Sequence, residues 1–158
     1  MCSCGAAIWR GLTVNRIRSS AMVAVQFAVL AYLLMTGPLL ANRWGWAVLE
    51  IAGFVVIIAA VLTMNIRRVT AFPEPRADAQ LLTRGPYRYI RHPMYAGAML
   101  CVIALVLYTR SPGRTAAFVI LLINLWLKMR YEETLLLQRF PEYAELMRRT
   151  KRLIPFVY

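Results

Sequence analysis

The sequence predicts an all-α fold: an integral membrane protein of about four transmembrane helices, followed by a C-terminal amphipathic helix at the membrane interface. Two observations carry this expectation. Of the 158 residues, 60% are hydrophobic and the mean hydropathy is +0.55, which is more apolar than a soluble domain of this size. The 19 Lys and Arg residues, which leave a formal charge of +12, flank the apolar runs. That placement reads as membrane anchoring and orientation. It weighs against a nucleic-acid partner, the reading that such a charge invites in a soluble chain. The length is that of one domain, here a single membrane domain over 1–158.

The first span is expected over Ala21–Ala41, about 31 Å at 1.5 Å per residue, the thickness of a hydrocarbon core. Pro38 is expected to kink its far end. The run is too long for the apolar region of a signal peptide, and no clean small-x-small cleavage site follows. After Asn42-Arg43, Trp44 and Trp46 mark an interface. The second span, Gly45–Ile66, carries Glu50 and is stopped by Arg67 and Arg68. Val69–Arg91 holds Pro73, Pro75 and Pro86 and is too polar to cross lipid. The third span is read as Met94–Thr109, followed by a tight turn from Arg110 to Arg114, and the fourth as Thr115–Tyr131, its helix continuing through Glu133 into water. In the tail, Phe140, Tyr143, Ala144 and Met147 fall on one helical face, with Pro141 in the first turn. The other side carries Glu142, Glu145, Arg148, Arg149 and Arg152, as an interfacial helix would.

Basic residues give the orientation. The N-terminus, second loop and tail hold 16 of them, the first and third loops only 3. Both termini are therefore expected in the cytoplasm. Three cysteines and one histidine fall short of the four close N or S ligands of a zinc site, so no metal is expected.

This topology places two polar clusters together at the cytoplasmic end of the hairpin formed by the third and fourth spans. One is Arg84-Gly-Pro-Tyr-Arg-Tyr-Ile-Arg-His-Pro-Met-Tyr-Ala-Gly97; the other is Lys128-Met-Arg-Tyr-Glu-Glu133. Polar groups at a membrane helix end are costly unless paired or functional. No Gly-x-Gly occurs, which counts against a dinucleotide-type fold.

Gly85-Pro-Tyr87 followed by Arg91-His-Pro-Met-Tyr95-Ala-Gly97 resembles the signature of the isoprenylcysteine carboxyl methyltransferase and phospholipid methyltransferase superfamily. So does Glu132-Glu133 followed by Leu136, Phe140, Tyr143 and Arg152-Leu-Ile-Pro155. The resemblance spans 82–155, with Leu146 where the family commonly carries a second tyrosine. It implies a membrane enzyme that binds S-adenosylmethionine at the cytoplasmic face and methylates a lipophilic acceptor delivered from the bilayer, a carboxylate or an amine. It implies that Tyr87, His92, Pro93, Tyr95 and Gly97 line the cofactor pocket with Glu132 and Glu133 as its acidic wall. His92, Arg91 and Glu133 are the candidate catalytic residues. The residue types suit this chemistry. Carboxylates accept from an ammonium or a ribose, a tyrosine face attracts a sulfonium, and Arg91 or Arg130 can bind a carboxylate. The adjacent glutamates point about 100° apart on a helix, so one is expected to face the pocket and the other to pair with an arginine such as Arg130 or Arg88. Two alternatives stand beside this reading: an NADPH-dependent reductase of sterol-reductase type, and a non-enzymatic membrane subunit.

Overall fold

The computed structural model describes residues 3–64, 70–73 and 81–154. Within them lie five α-helices: α1 (Ser3–Met35), α2 (Trp44–Met64), α3 (Pro93–Thr109), α4 (Pro112–Arg139) and α5 (Tyr143–Arg149). A short 3-10 turn, Gly85–Arg88, precedes α3. Ile66, Arg67, Arg68, Pro75 and Pro155 lie outside the described residues.

Two helices, Arg16–Met35 within α1 and Trp44–Met64, are long and apolar enough to cross a membrane. Only 17% of the α2 window is buried inside the protein. Its outward side chains, among them Val48, Ile51, Phe54, Val55, Ile58 and Leu62, are exposed. An apolar helix left uncovered by its own chain has lipid as its natural surroundings. Trp44, at the start of α2, is 90% exposed, as an interfacial anchor is.

The helix ends depart from the sequence expectation in instructive ways. The first helix stops at Met35, six residues before the expected Ala41, and Pro38 lies beyond the helix. A proline disfavours helical geometry in the residue before it, here Gly37, so the helix ends where a kink was expected. Arg114 secures that end. It is 1% exposed, and its Nη1 donates to Leu33 O at 2.8 Å. Gly37 lies so close that a Cβ there would collide with the guanidinium. The residue expected to be an external loop cation is thus buried and caps the last carbonyls of α1. Glu50 pins the same connection from the other side, its Oε2 accepting from Ala41 N at 2.9 Å.

Both later helices start on proline at their first position, Pro93 and Pro112, where the missing N–H costs nothing and φ is already helical. α4 is longer than its span at both ends and reaches about 42 Å. In the tail, Pro141 and Glu142 form a turn rather than a first helical turn, and α5 is short.

Helix α2 packs most extensively on α3 and α1 on α4. Close approach of α2 and α3 depends on two glycines. A Cβ on Gly53 would sit 2.7 Å from Gly97 O, and one on Gly97 would sit 2.6 Å from Gly53 O and 2.7 Å from Ile57 Cγ1. The core joins Leu33 of α1, Val102 and Val106 of α3, and Ala117, Phe118, Leu121 and Leu125 of α4. This packing fixes the ends of α3 and α4 that carry the polar clusters.

Candidate functional site

Three backbone devices deliver the histidine cluster. Gly85 opens the 3-10 turn with φ +55 and sits against Thr63 of α2, where a Cβ would lie 2.6 Å from the hydroxyl; only glycine takes this conformation at no cost. Pro86 then starts the turn. Finally, the chain after α5 returns to pair with residues 89–92. Ile90 and Lys151 form a parallel bridge, with Arg91 N donating to Lys151 O at 2.8 Å and His92 N to Arg152 O at 3.0 Å. The segment 150–152 therefore straps down the backbone that carries His92.

Glu133, 3% exposed, sits at the centre of an ion-pair brace. Its Oε1 accepts from Arg91 Nε at 2.8 Å, and its Oε2 from Arg152 Nε at 2.9 Å and Arg152 Nη2 at 2.8 Å. Arg91 Nη1 also donates to Thr150 O at 2.5 Å and to Met147 O at 3.3 Å. Burial opposes the charge on Glu133, yet His92, Arg152 and Arg91 outweigh it and hold the carboxyl at about 2. The arginines that meet Glu133 are Arg91 and Arg152; Arg130 instead lies over the Trp126 ring at 4.8 Å.

Glu132 has a different set of neighbours. Its Oε1 accepts from the Tyr95 hydroxyl at 2.5 Å, and its Oε2 lies 3.4 Å from His92 Nδ1. His92 stacks on Tyr95 with ring centroids 5.5 Å apart, and its Nε2 lies 3.5 Å from Glu133 Oε1. Burial pushes the imidazole towards its neutral form, but hydrogen bonds and charges of Glu132 and Glu133 prevail and raise its pKa above 6.5. Glu132 thus lies beside His92 and Tyr95, while Glu133 meets Arg91, Arg152 and His92 and not the expected Arg130 or Arg88.

One buried polar atom here, the Tyr87 hydroxyl, has no hydrogen-bond partner, while His92 Nε2 has its long contact to Glu133 Oε1 at 3.5 Å. Burial, then the nearby Glu132, pushes the Tyr87 hydroxyl up to about 12, so it stays protonated. An unsatisfied buried group costs about 1–3 kcal/mol, so the Tyr87 hydroxyl marks a place where another group can bind.

The remaining expected residues are distributed unevenly. Pro93 is fully buried and starts α3. Gly97 turns to α2, so the group it lets approach α3 is the neighbouring helix. Tyr143, 3% exposed, turns inward from α5, and burial, then Glu133, raises its pKa. Sequence reasoning missed Lys128 as part of the inner site. It is 0% exposed and its Nζ stands 5.2 Å from the Tyr95 ring centroid. Its position four residues before Glu132, on the same helical face, was the available signal. An open groove bounded by Val106, Leu107, Arg110, Pro112 and Val119 lies at the opposite end of the hairpin, roughly 25 Å away along α3. Among the described residues, no group of three His, Cys, Asp or Glu is placed to hold a metal ion.

The profile of the phospholipid methyltransferase family matches residues 27–143. A probable protein-S-isoprenylcysteine O-methyltransferase of Oryza sativa subsp. indica is 31% identical over 146 residues, covering 86% of this chain and 76% of that protein. The cobalt-zinc-cadmium resistance protein CzcN of Cupriavidus metallidurans is 35% identical over 81 residues, covering 51% of this chain and 38% of that protein. The nickel-cobalt-cadmium resistance protein NccN of Alcaligenes xylosoxydans xylosoxydans is 29% identical over 110 residues, covering 63% and 52%. The chain thus spans about two fifths to three quarters of the length of these relatives.

Proposed function

Because the chain belongs to the phospholipid methyltransferase family, we propose that it transfers the methyl group of S-adenosylmethionine to a lipophilic acceptor that arrives through the bilayer. The observation that carries this reading is the pairing of Glu132, engaged by Tyr95 and His92, with an unpartnered buried hydroxyl, that of Tyr87. These residues fit the cofactor. Glu132 offers a charged acceptor for its ammonium or ribose hydroxyls, and Tyr87 offers a donor that the protein itself leaves unused. When bound, S-adenosylmethionine supplies an electrophilic methyl carbon for in-line displacement. The protein's part in such a reaction is alignment and the exclusion of water.

In this proposal α1 to α4 all cross the membrane, both termini are cytoplasmic and the site faces the cytoplasm. The uneven distribution of basic residues supports that orientation, and burial of Arg114 removes one cation from the poorer side. His92 touches the reactants and Tyr95, Tyr87 and Pro93 shape their pocket. Arg91 and Glu133 act from behind as the brace that holds the 150–152 segment over them. A pKa raised by two carboxylates suits His92 better as a donor than as a base. That fits an acceptor needing no deprotonation, such as a carboxylate, better than an amine.

The test is calorimetric titration of the purified protein with S-adenosylmethionine, with Glu132→Gln as control. Binding by the wild type and at least a tenfold weaker affinity in the variant, about 1.4 kcal/mol, are expected. A wild-type protein that binds no S-adenosylmethionine overturns the proposal.

A further inference from the structure

Helix α1 is the least distinctive part of the sequence, yet it reaches the site. Gln26 Oε1 accepts from Lys128 Nζ at 2.7 Å. One turn along α4, Asn124 Nδ2 donates to Met22 O at 3.0 Å. Both contacts are polar pairs between helices whose neighbouring surfaces are apolar. A fully buried lysine is expensive in a membrane helix and calls for a role.

The geometry suggests that role. Lys128 and Glu132 lie on one face of α4, one turn apart, and Tyr95 of α3 spans them. Its ring rests on the Lys128 ammonium at 5.2 Å, and its hydroxyl donates to Glu132 at 2.5 Å. His92 also stacks on the Tyr95 ring. The tyrosine is thus clamped at both ends, by a cation under its π-system and a carboxylate at its hydroxyl. Gln26 accepts a hydrogen bond from that ammonium.

We propose that Lys128, anchored by Gln26 of α1, is a positioning residue: it acts through Tyr95 to set Glu132 and His92, and so makes α1 a working part of the site. Sulfonium attraction to Tyr95, expected from residue type alone, then competes with a cation the protein already keeps beside that ring. The cofactor part of this inference rests on the methyltransferase reading; the geometric part does not.

The experiment compares Lys128→Met, Lys128→Arg and Gln26→Leu, each also made in a Tyr95→Leu background. For S-adenosylmethionine, Lys128→Met should weaken calorimetric affinity at least tenfold, Lys128→Arg should restore it to within threefold, and Gln26→Leu should weaken it at least threefold. In the Tyr95→Leu background, Lys128→Met should add less than twofold, because the route it uses is gone. A full tenfold loss in that background means Lys128 does not act through Tyr95, and the proposal fails. A second readout needs no cofactor. The imidazole resonances of His92, the chain's single histidine, lie against the Tyr95 ring and should shift in Lys128→Met and in Gln26→Leu. Unchanged resonances in both variants overturn the proposal, even if the wild type binds no S-adenosylmethionine and the methyltransferase reading has failed separately. Should Lys128→Met not fold, Gln26→Leu alone decides by the same resonances.

Discussion

Replacing Glu133 by glutamine keeps its shape and removes one charge, and the surroundings of the carboxylate set the cost. It is 3% exposed and carries Arg91 on one oxygen and Arg152 on the other. Glutamine offers a single neutral acceptor to two guanidinium groups. Removing one partner of a buried ion pair costs about 3–5 kcal/mol, most of it the penalty of the stranded charge. Arg152 is about a quarter exposed, so water recovers part of its share and about 3 kcal/mol is the fitting end of the range. At about 2–4 °C per kcal/mol for a chain of this length, the melting temperature should fall by about 6–12 °C. Glu132→Gln is the internal comparison. Its amide oxygen still accepts from Tyr95, so its cost should be about 1 kcal/mol, although it removes the charge that faces the pocket. Thermal unfolding of both variants in one detergent, with and without S-adenosylmethionine, separates the two roles. Glu133→Gln should lose mainly stability and Glu132→Gln mainly cofactor binding. If Glu133→Gln melts within about 2 °C of the wild type, or Glu132→Gln falls as far, the brace has been misassigned.

Other consequences can be measured directly. By NMR, His92 should titrate above 6.5 and move down in Glu132→Gln. Because the folded pKa is the raised one, its contribution to stability is complete below the unfolded value and disappears as pH rises through the folded value. Glu133 behaves in the opposite sense. Its contribution is present above 4.5 and is lost as pH falls towards about 2, so acid unfolding of the wild type should begin well below that of Glu133→Gln. Gly97→Val must push Gly53 O and Ile57 aside and should destabilise the α2–α3 pair by at least about 1–3 kcal/mol, read as lost folded yield; normal yield refutes the close packing. Reporter fusions at Arg43 and Arg110 should read as external, and an internal signal at either refutes the proposed topology.

The helical class and the meeting of the two clusters were legible because each rests on a strong regularity. Long apolar runs announce helices, and a hairpin returns its two ends to the same side. That adjacent Glu132 and Glu133 face different neighbours follows from helical geometry, but the arginines on Glu133 are Arg91 and Arg152 and not the expected Arg130 or Arg88. What escaped was set by tertiary partners. Arg114 looks like a loop cation until Leu33 O and Gly37 surround it. Gly97 looks like a pocket residue until α2 fills the space beside it. Lys128 looks like an interfacial anchor until Gln26, 102 positions away, takes its ammonium. Arg152, which reads as part of the tail's polar face and of a C-terminal signature, proves to be the second arginine on Glu133. No local pattern encodes such pairings, because each depends on where a distant helix arrives.

The bridge between Ile90 and Lys151 also has a consequence in time. A membrane chain is made and inserted from its N-terminus, helix by helix. The backbone beside His92 gains its hydrogen bonds from Lys151 and Arg152 only after α1 to α5 have all been synthesised. Glu133 likewise waits for Arg152 to balance its second oxygen. The strap over His92 can therefore close only after α5 has been made, and a chain halted before Thr150 holds α1 to α5 without it. The closing segment acts as a seal that only a chain made past Arg152 can carry.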